Sequence, residues 1–289
     1  MISSLFHLES IVMNTSPQLE PQPLFSNLQP TAPFVRSCMS TESPAVLRQR
    51  LTDDGYLYLP GALDHAPLIQ ARREILTLCQ QAGWLDPAHP LMDGYAAING
   101  LSEGDAEYRA VYRNVVRLAS FNACAVTPEL RGIFELLLGG KPFAHPRNIA
   151  RIALPGGQAT QPHQDFHYIR GTSETYTCWI PTAAVTAELG GLTVLPGSHR
   201  SGTLYHQRTT GAGGMGIHPT QLPSEQPWTG GDYELGDVLL FHSYTVHGAR
   251  PHQDQQRIRL SFDFRYQRPA DPIDPSSLCY HMEDQHPPA

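Results

Sequence analysis

The sequence predicts a mainly β protein with a helical N-terminal half. From about residue 143 onward, short runs rich in β-branched and aromatic residues alternate with Gly/Pro turns. That texture is typical of a β-barrel or β-sandwich and not of βαβ units. Before residue 140, apolar residues recur instead at helical spacing. We therefore expect helical support over 43–140 and a β core over about 143–268.

The helices are predicted from their caps and apolar faces. Ser43 can cap a first helix with Pro44 in its first turn, and Gly55 would end it before the strand YLYL. A second helix is expected after Asp64, ending at Gly83, with its buried face formed by Leu68, Ala71, Ile75, Leu78 and Cys79. A third helical stretch is expected over 105–138, with Pro128 in a first turn and Gly139-Gly140 at its end.

Six runs are predicted to be strands, because each is short, apolar or aromatic, and bounded by turn residues. They are NIARIAL (148–154), HQDFHYI (163–169), TYTCWIP (175–181), GGLTVLPG (190–197), DVLLFH (237–242) and RIRLSFDFRY (257–266). Residues 1–40 are rich in Pro and Gln and are expected to be a flexible tail, with the functional start near Met39. Residues 41–289 are then one domain.

Composition excludes several classes of function. The net charge is −7, so the chain gains nothing from neutralising phosphates and nucleic acid is not an expected partner. No apolar run reaches about 18 residues, so no membrane span is expected. Five cysteines without CxxC spacing favour a reducing, cytoplasmic compartment. Nothing in the sequence indicates an obligate protein partner.

Three potential metal ligands alternate in QPHQDFHYI: His163, Asp165 and His167. On a strand they share one face, with 163 and 165 about 7 Å apart and 163 and 167 about 13 Å apart. The outer pair is too far apart to reach one ion, so at most two of the three bind the same metal. The third ligand must come from elsewhere, and the candidates are His199, His206, His242, His247 and His252.

A histidine and a carboxylate with open positions form two thirds of the facial triad of non-haem iron(II) oxygenases. Arg257 and Arg259 begin the last predicted strand on one face. A guanidinium inside a barrel needs an anion, and its planar fork matches a carboxylate. A 2-oxo acid that chelates iron through its keto and C1 carboxylate oxygens needs such an arginine for its distal carboxylate.

The chain resembles the phytanoyl-CoA dioxygenase family of Fe(II)/2-oxoglutarate-dependent oxygenases from about Leu51 to Arg268. The resemblance rests on HQD at 163–165, on WIP…ELGGLTVLPGSHRSG from Trp179 to Gly202, and on GDVLLFHSYTVHGA up to Arg257. It implies a double-stranded β-helix (jelly-roll) core flanked by α-helices.

The resemblance also implies roles for individual residues. His163, Asp165 and His247 match the iron ligands, and they are the expected catalytic residues. Arg257 matches the arginine that binds the 2-oxoglutarate C5 carboxylate. The family places that arginine eleven residues after the second histidine, and Arg257 lies ten after it and Arg259 twelve, so Arg259 stays an alternative. Gln164 and Trp179 match positions near the co-substrate, with a plain core role open for Trp179.

The implied reaction consumes Fe(II)-bound 2-oxoglutarate and O2, releases succinate and CO2, and hydroxylates an unactivated C–H bond of a small molecule. A carboxylate at Asp165 argues against halogenation. Desaturation, cyclisation and epimerisation remain alternatives, as does a catalytically silent metal-binding β-barrel. His167 could contact the substrate. A CoA thioester is disfavoured because no basic cluster is evident, and specificity is expected in the Gly-rich loops 86–104 and 203–232.

Overall fold

The computed structural model describes residues 22–25, 28–223 and 226–283. Five helices precede the β core and a short sixth lies within it: α1 (Pro44–Asp54), α2 (His65–Gln81), α3 (Ala106–Val115), α4 (Ala119–Cys124), α5 (Pro128–Leu138) and α6 (Phe166–Ile169). The strands are β1 (Tyr56–Leu59), β2 (Phe143–Ala144), β3 (Ile149–Ala153), β4 (Tyr176–Pro181), β5 (Leu192–Val194), β6 (His206–Arg208), β7 (Met215–Ile217), β8 (Val238–His242), β9 (His247–Ala249) and β10 (Arg259–Gln267).

The predicted caps are confirmed. The Ser43 side chain accepts a hydrogen bond from the Val46 backbone, and Gly55 adopts the left-handed conformation that ends α1. Asp64 caps α2, and Thr127 caps α5 ahead of its first-turn proline. The helical stretch at 105–138 is divided into α3, α4 and α5.

One antiparallel sheet contains six strands in the order β1-β8-β4-β10-β2, and β3 also pairs with β10. Because side chains alternate along a strand, each face of this sheet belongs to a different core. One face, with Ile180, Phe262 and Phe264, packs against the helices. The other face, with Trp179 and Phe241, packs against the small sheet formed by β5 and β9. The space between these two sheets contains the site described below.

The strand predicted over HQDFHYI is wrong. His163 makes only an isolated antiparallel bridge to His247, and the chain then turns into α6. Asp165 already has helical dihedral angles, with φ −60° and ψ −31°. The Phe166 backbone donates to Ser243 O at 3.0 Å, which bends the segment across the end of β8. The other five predicted runs each contain a strand.

The tail was predicted to extend to residue 40, but the described residues 28–37 are packed against the domain. Phe34 is buried against Tyr56, Tyr58 and Tyr233, and Leu28 is also buried. The backbone of 31–37 donates hydrogen bonds to Trp228 O and Tyr58 O. Residues 28–37 therefore contribute to the core. Residues 1–21 and 26–27 of the predicted tail lie outside the described residues. Among the helices of the described chain, none combines the length and apolar character needed to cross a bilayer.

Candidate metal centre and co-substrate site

His163, Asp165 and His247 converge between the two sheets. One ligand atom from each lies within 4.8 Å of the others. Asp165 Oδ1 lies 3.6 Å from His163 Nε2 and 3.8 Å from His247 Nε2. Donors on bonds of about 2.1 Å to one ion are separated by up to about 4.2 Å. These three residues can therefore hold one metal ion, and all three are buried.

Backbone carbonyls fix the orientation of both imidazoles. His163 Nδ1 donates to Gln161 O at 2.8 Å, and His247 Nδ1 donates to Thr245 O at 3.0 Å. A carbonyl oxygen only accepts, so each Nε2 is left with its lone pair directed at the common centre. Burial and the neighbouring His163 lower the pKa of His247 to about 3, so that ring is neutral at physiological pH.

The two carboxylate oxygens of Asp165 have different surroundings. Thr177 Oγ1, on β4, donates to Oδ2, and Arg265, on β10, lies 3.4 Å from the carboxylate. Oδ1 is the oxygen that faces the two Nε2 atoms. Burial by itself would raise the pKa of Asp165, but the neighbouring Arg265 guanidinium holds that pKa well below its usual range. One carboxylate and two imidazoles match the ligand set of non-haem iron(II).

Arg259 lines the small inner cavity that also contains the three metal-binding candidates and Trp179. It is 8% exposed, and its Nη1 donates to Gly190 O. Its Nε and the Ser261 hydroxyl, two residues along the same face of β10, are buried without hydrogen-bond partners in the described chain. Burial lowers the pKa of Arg259 to about 10, so the guanidinium stays charged at neutral pH. These donors fit a carboxylate of a 2-oxo acid.

Arg257, the arginine preferred from the sequence, does not line this cavity, whereas the alternative Arg259 does. Arg257 precedes β10, and its Nε donates to Asp254 Oδ2 at 2.7 Å. Its side chain is 40% exposed. The backbone of Arg257 also donates to Asp254, and this local turn holds the residue outside the barrel.

Gln164 does not face the inner cavity either. Its side-chain Nε2 donates to Gly202 O and Tyr244 O, and its Oε1 accepts from the Leu204 backbone nitrogen. Gln164 thus fastens the loop that follows β5 to the segment before β9. Trp179 both lines the inner cavity and packs in the core against Tyr233, with 4.6 Å between the ring centroids.

His167 lies away from the cavities, because the turn into α6 rotates it off the face that carries His163 and Asp165. It stacks on His206 at 4.3 Å. Tyr168 lines the metal-side cavity instead. The other candidate ligands also have partners elsewhere, which are Thr52 O for His199, Gln164 N for His206, Glu174 for His242 and Leu154 O for His252.

Two larger cavities open beside the metal-binding candidates. The metal-side cavity, of about 360 Å³, is lined by His163, Asp165 and Arg265. The arginine-side cavity, of about 200 Å³, is lined by Arg250 and Arg259. The Gly-rich loops 86–104 and 203–232 contribute to the walls of both cavities. The residues that line both are Glu103, Gly104, Gly211 and Ala212, together with Arg151 of β3.

Sequence reasoning missed Thr177, Arg265 and Tyr168. A signal for Arg265 was available, because β10 alternates polar and apolar residues. Arg259, Ser261, Asp263 and Arg265 are therefore on one face of the strand. Thr177 and Tyr168 carried no comparable signal, since their roles depend on how distant segments meet.

The family model "Phytanoyl-CoA dioxygenase (PhyH)" matches residues 51–260. The chain is 26% identical to 1-deoxypentalenic acid 11-beta-hydroxylase of Streptomyces exfoliatus, over 74% of this chain and 78% of the relative. It is 25% identical to L-proline trans-4-hydroxylase of Streptomyces griseoviridis, over 83% of this chain and 94% of the relative.

The fold is similar to that of the epimerase SnoN, solved in complex with Fe3+, alpha ketoglutarate and nogalamycin RO. The TM-score is 0.55 at 22% identity, with 81% of this chain and 86% of the other covered. The family match extends over most of the chain and includes all three metal-binding candidates. The chain therefore belongs to the phytanoyl-CoA dioxygenase family, and it is an iron- and 2-oxoglutarate-dependent oxygenase.

Proposed function

We propose that this oxygenase hydroxylates an unactivated C–H bond of a small organic molecule of secondary metabolism, with release of succinate and CO2. The observation that carries the proposal is the arrangement of the inner cavity. Three metal-binding side chains lie in it, and a buried arginine with an unused donor lines it too. The two hydroxylase relatives, at 25% and 26% identity, support hydroxylation over other uses of the same site.

In this proposal His163, Asp165 and His247 hold iron(II), and Arg259 with Ser261 holds the C5 carboxylate of 2-oxoglutarate. The bound metal with its co-substrate and dioxygen would supply an oxidant able to remove hydrogen from an unactivated carbon. Thr177 donates to Asp165 Oδ2, and Oδ1 is the oxygen that faces the two histidines and would bind the metal. Leu192, Trp179 and Phe241 line the inner cavity and exclude water from it.

The metal-side cavity is the proposed substrate space. It adjoins His163 and Asp165, and its volume of about 360 Å³ suits a small organic molecule. Tyr168 and Ile169 of α6 form part of its wall, and so does the loop over 211–214. We further propose that the facing sheets form the double-stranded β-helix within one oxygenase domain that begins near residue 28.

Desaturation, cyclisation and epimerisation would use the same residues and differ in where the substrate carbon lies. A catalytically silent metal-binding barrel is disfavoured, because a barrel that binds only a metal has no use for a buried Arg259 with an unused donor and no direct ion pair in the described chain.

The test is an anaerobic titration of the purified protein with iron(II) and 2-oxoglutarate. We expect a weak visible charge-transfer band that requires both, followed by succinate formation when air and substrate are added. Asp165→Ala should lose both signals. A variant that keeps normal hydroxylation without this carboxylate would overturn the assignment of the metal ligands.

A further inference from the structure

Two deeply buried arginines line the arginine-side cavity, and neither has a carboxylate partner in the described chain. Arg250 and Arg259 are each 8% exposed. Neither takes part in an ion pair with any described residue. Burying a cation without a counter-charge is strongly unfavourable. A fold that keeps two of them beside one cavity is therefore suited to bind anions there.

Unused donors accompany these charges. The Nε atoms of Arg250 and Arg259 have no hydrogen-bond partner among the described residues. Arg250 Nη2 donates to Gln29 Oε1 at 3.1 Å, and Arg259 Nη1 donates to Gly190 O. Arg72 provides a contrast, because it is 4% exposed, and its two terminal nitrogens donate to Thr182 Oγ1 and Met92 O.

The charges of the site require more than one anion. Under the proposed function, on which this inference rests, the C1 carboxylate of 2-oxoglutarate goes to the metal and the C5 carboxylate goes to Arg259. The charge of Arg250 then remains without a counter-charge. We propose that Arg250 binds a carboxylate of the substrate, so that the substrate class is small organic acids in their ionised form.

The two cavities adjoin each other. The arginine-side and metal-side cavities share Glu103, Arg151 and Gly211 in their walls. In this proposal an acid anchored at Arg250 extends past these residues toward Asp165. Anchoring the substrate by a charged group remote from the reacting carbon fixes its orientation, which is a large contribution to rate.

His252 adds a second element of recognition beside Arg250. Its Nδ1 donates to Leu154 O at 3.1 Å, and its Nε2 has no partner among the described residues. In this tautomer Nε2 is an acceptor. It therefore suits a hydroxyl or ammonium group next to the substrate carboxylate.

The first experiment uses acetate as the smallest carboxylate probe. The protein, loaded anaerobically with iron(II) and saturating 2-oxoglutarate, is melted in sodium acetate and in sodium chloride of equal ionic strength. Acetate should raise the Tm of the wild type on the order of 2–4 °C above chloride. Arg250→Gln should lose this difference, and Arg250→Lys should keep part of it. Arg208→Gln is the matched control, because Arg208 is exposed on β6 and lines none of the three cavities.

The second experiment tests whether the carboxylate that Arg250 binds belongs to the substrate or to 2-oxoglutarate. In the charge-transfer titration, Arg250→Gln should leave the Kd for 2-oxoglutarate within about twofold, whereas Arg259→Gln should weaken it on the order of 100-fold. Amino, alicyclic and terpenoid acids are then compared with their methyl esters for stimulated succinate formation. The wild type should prefer acids. Arg250→Gln should reduce that preference by raising the KM for the acids.

Three results would overturn the proposal. Equal acetate responses of the wild type and Arg250→Gln would remove the anion subsite. A loss of 2-oxoglutarate affinity in Arg250→Gln as large as in Arg259→Gln would assign the carboxylate to the co-substrate. Esters preferred over acids by the wild type would exclude the substrate class. In each case an intact charge-transfer band in the wild type would leave the proposed oxygenase function standing.

Discussion

Arg265 and Asp165 form a buried ion pair in which Arg265 Nη2 lies 3.4 Å from both carboxylate oxygens. Both side chains are at most 4% exposed. The pair joins the metal ligand to β10, the strand that also carries Arg259. Because Arg265 and Thr177 both contact Oδ2, the carboxylate cannot rotate freely, and Oδ1 stays directed at the two histidines.

Removing this guanidinium should weaken metal binding. In Arg265→Gln the Asp165 carboxylate would lose the partner that orients it and lowers its pKa, so we expect the Kd for iron(II) to rise about 10- to 100-fold. Anaerobic metal titration measures the change. Arg268→Gln is the control, since Arg268 lies just beyond the same strand with a side chain 50% exposed. An unchanged iron affinity in Arg265→Gln would show that Thr177 alone orients Asp165.

Substitutions of Arg257 and Arg259 should differ sharply in their effect on 2-oxoglutarate binding. Arg259→Gln should weaken 2-oxoglutarate binding on the order of 100-fold, because a buried charge-assisted contact is lost. Arg257→Gln should change it less than about twofold, since Arg257 is paired with Asp254 outside the cavity. The charge-transfer titration measures both. The reverse order of effects would restore the family alignment of Arg257 with the co-substrate arginine.

Acid should destabilise the metal-free protein before its carboxylates titrate. Burial lowers the pKa of His145 and of His206 to about 4, and lowers that of His247 to about 3. In the unfolded chain these groups bind protons near pH 6.5, so between about pH 6.5 and 4 the unfolded state holds more protons than the folded state. Stability must then fall as the pH falls through this window.

Melting of the metal-free protein between pH 7.5 and 4.5 measures this loss. His206→Gln should flatten the profile, because the Nε2 of His206 accepts from the Gln164 backbone and must stay unprotonated to do so. His65→Gln is the control, because His65 is exposed. A Tm that stays constant or rises toward pH 5 would contradict the prediction.

The N-terminal segment should contribute measurably to stability. Phe34 is 8% exposed and stacks on Tyr58 at 4.8 Å, so Phe34→Ala should cost about 3–5 kcal/mol of unfolding free energy. Val35→Ala is the neighbouring control, because Val35 is 51% exposed and should change stability by less than about 0.5 kcal/mol. Denaturant unfolding measures both. A chain that starts at Met39 should be destabilised at least as much as Phe34→Ala.

The helices were predictable because local chemistry decides their ends. Ser43, Asp64 and Thr127 each accept a backbone hydrogen bond from their own first turn, and Gly55 and Gly139 adopt left-handed conformations at the ends. The tail was not predictable from composition. Its Pro and Gln content indicates disorder, but residues 28–37 are held in the core, where Phe34 packs against Tyr56, Tyr58 and Tyr233.

The convergence of His163, Asp165 and His247 was predictable, but the local shape of the site was not. A short aromatic run such as HQDFHYI is ambiguous between a strand and a helical turn, and the contact of Phe166 N with Ser243 O decides it. The sequence favoured Arg257 and left Arg259 as an alternative. The turn made by Asp254 sets where β10 begins, and with it which arginine enters the barrel.

Arg151 bonds with Glu103 at 2.8 Å and with Asp263 at 3.0 Å, so one side chain of β3 connects the loop before α3 to the inner face of β10. The helical half therefore forms part of the site, because Glu103 contributes to the wall that the two outer cavities share. New substrate preferences could arise by changes in residues 101–109, at the edge of the two outer cavities. The oxidising machinery would stay untouched while the choice of molecule diverged.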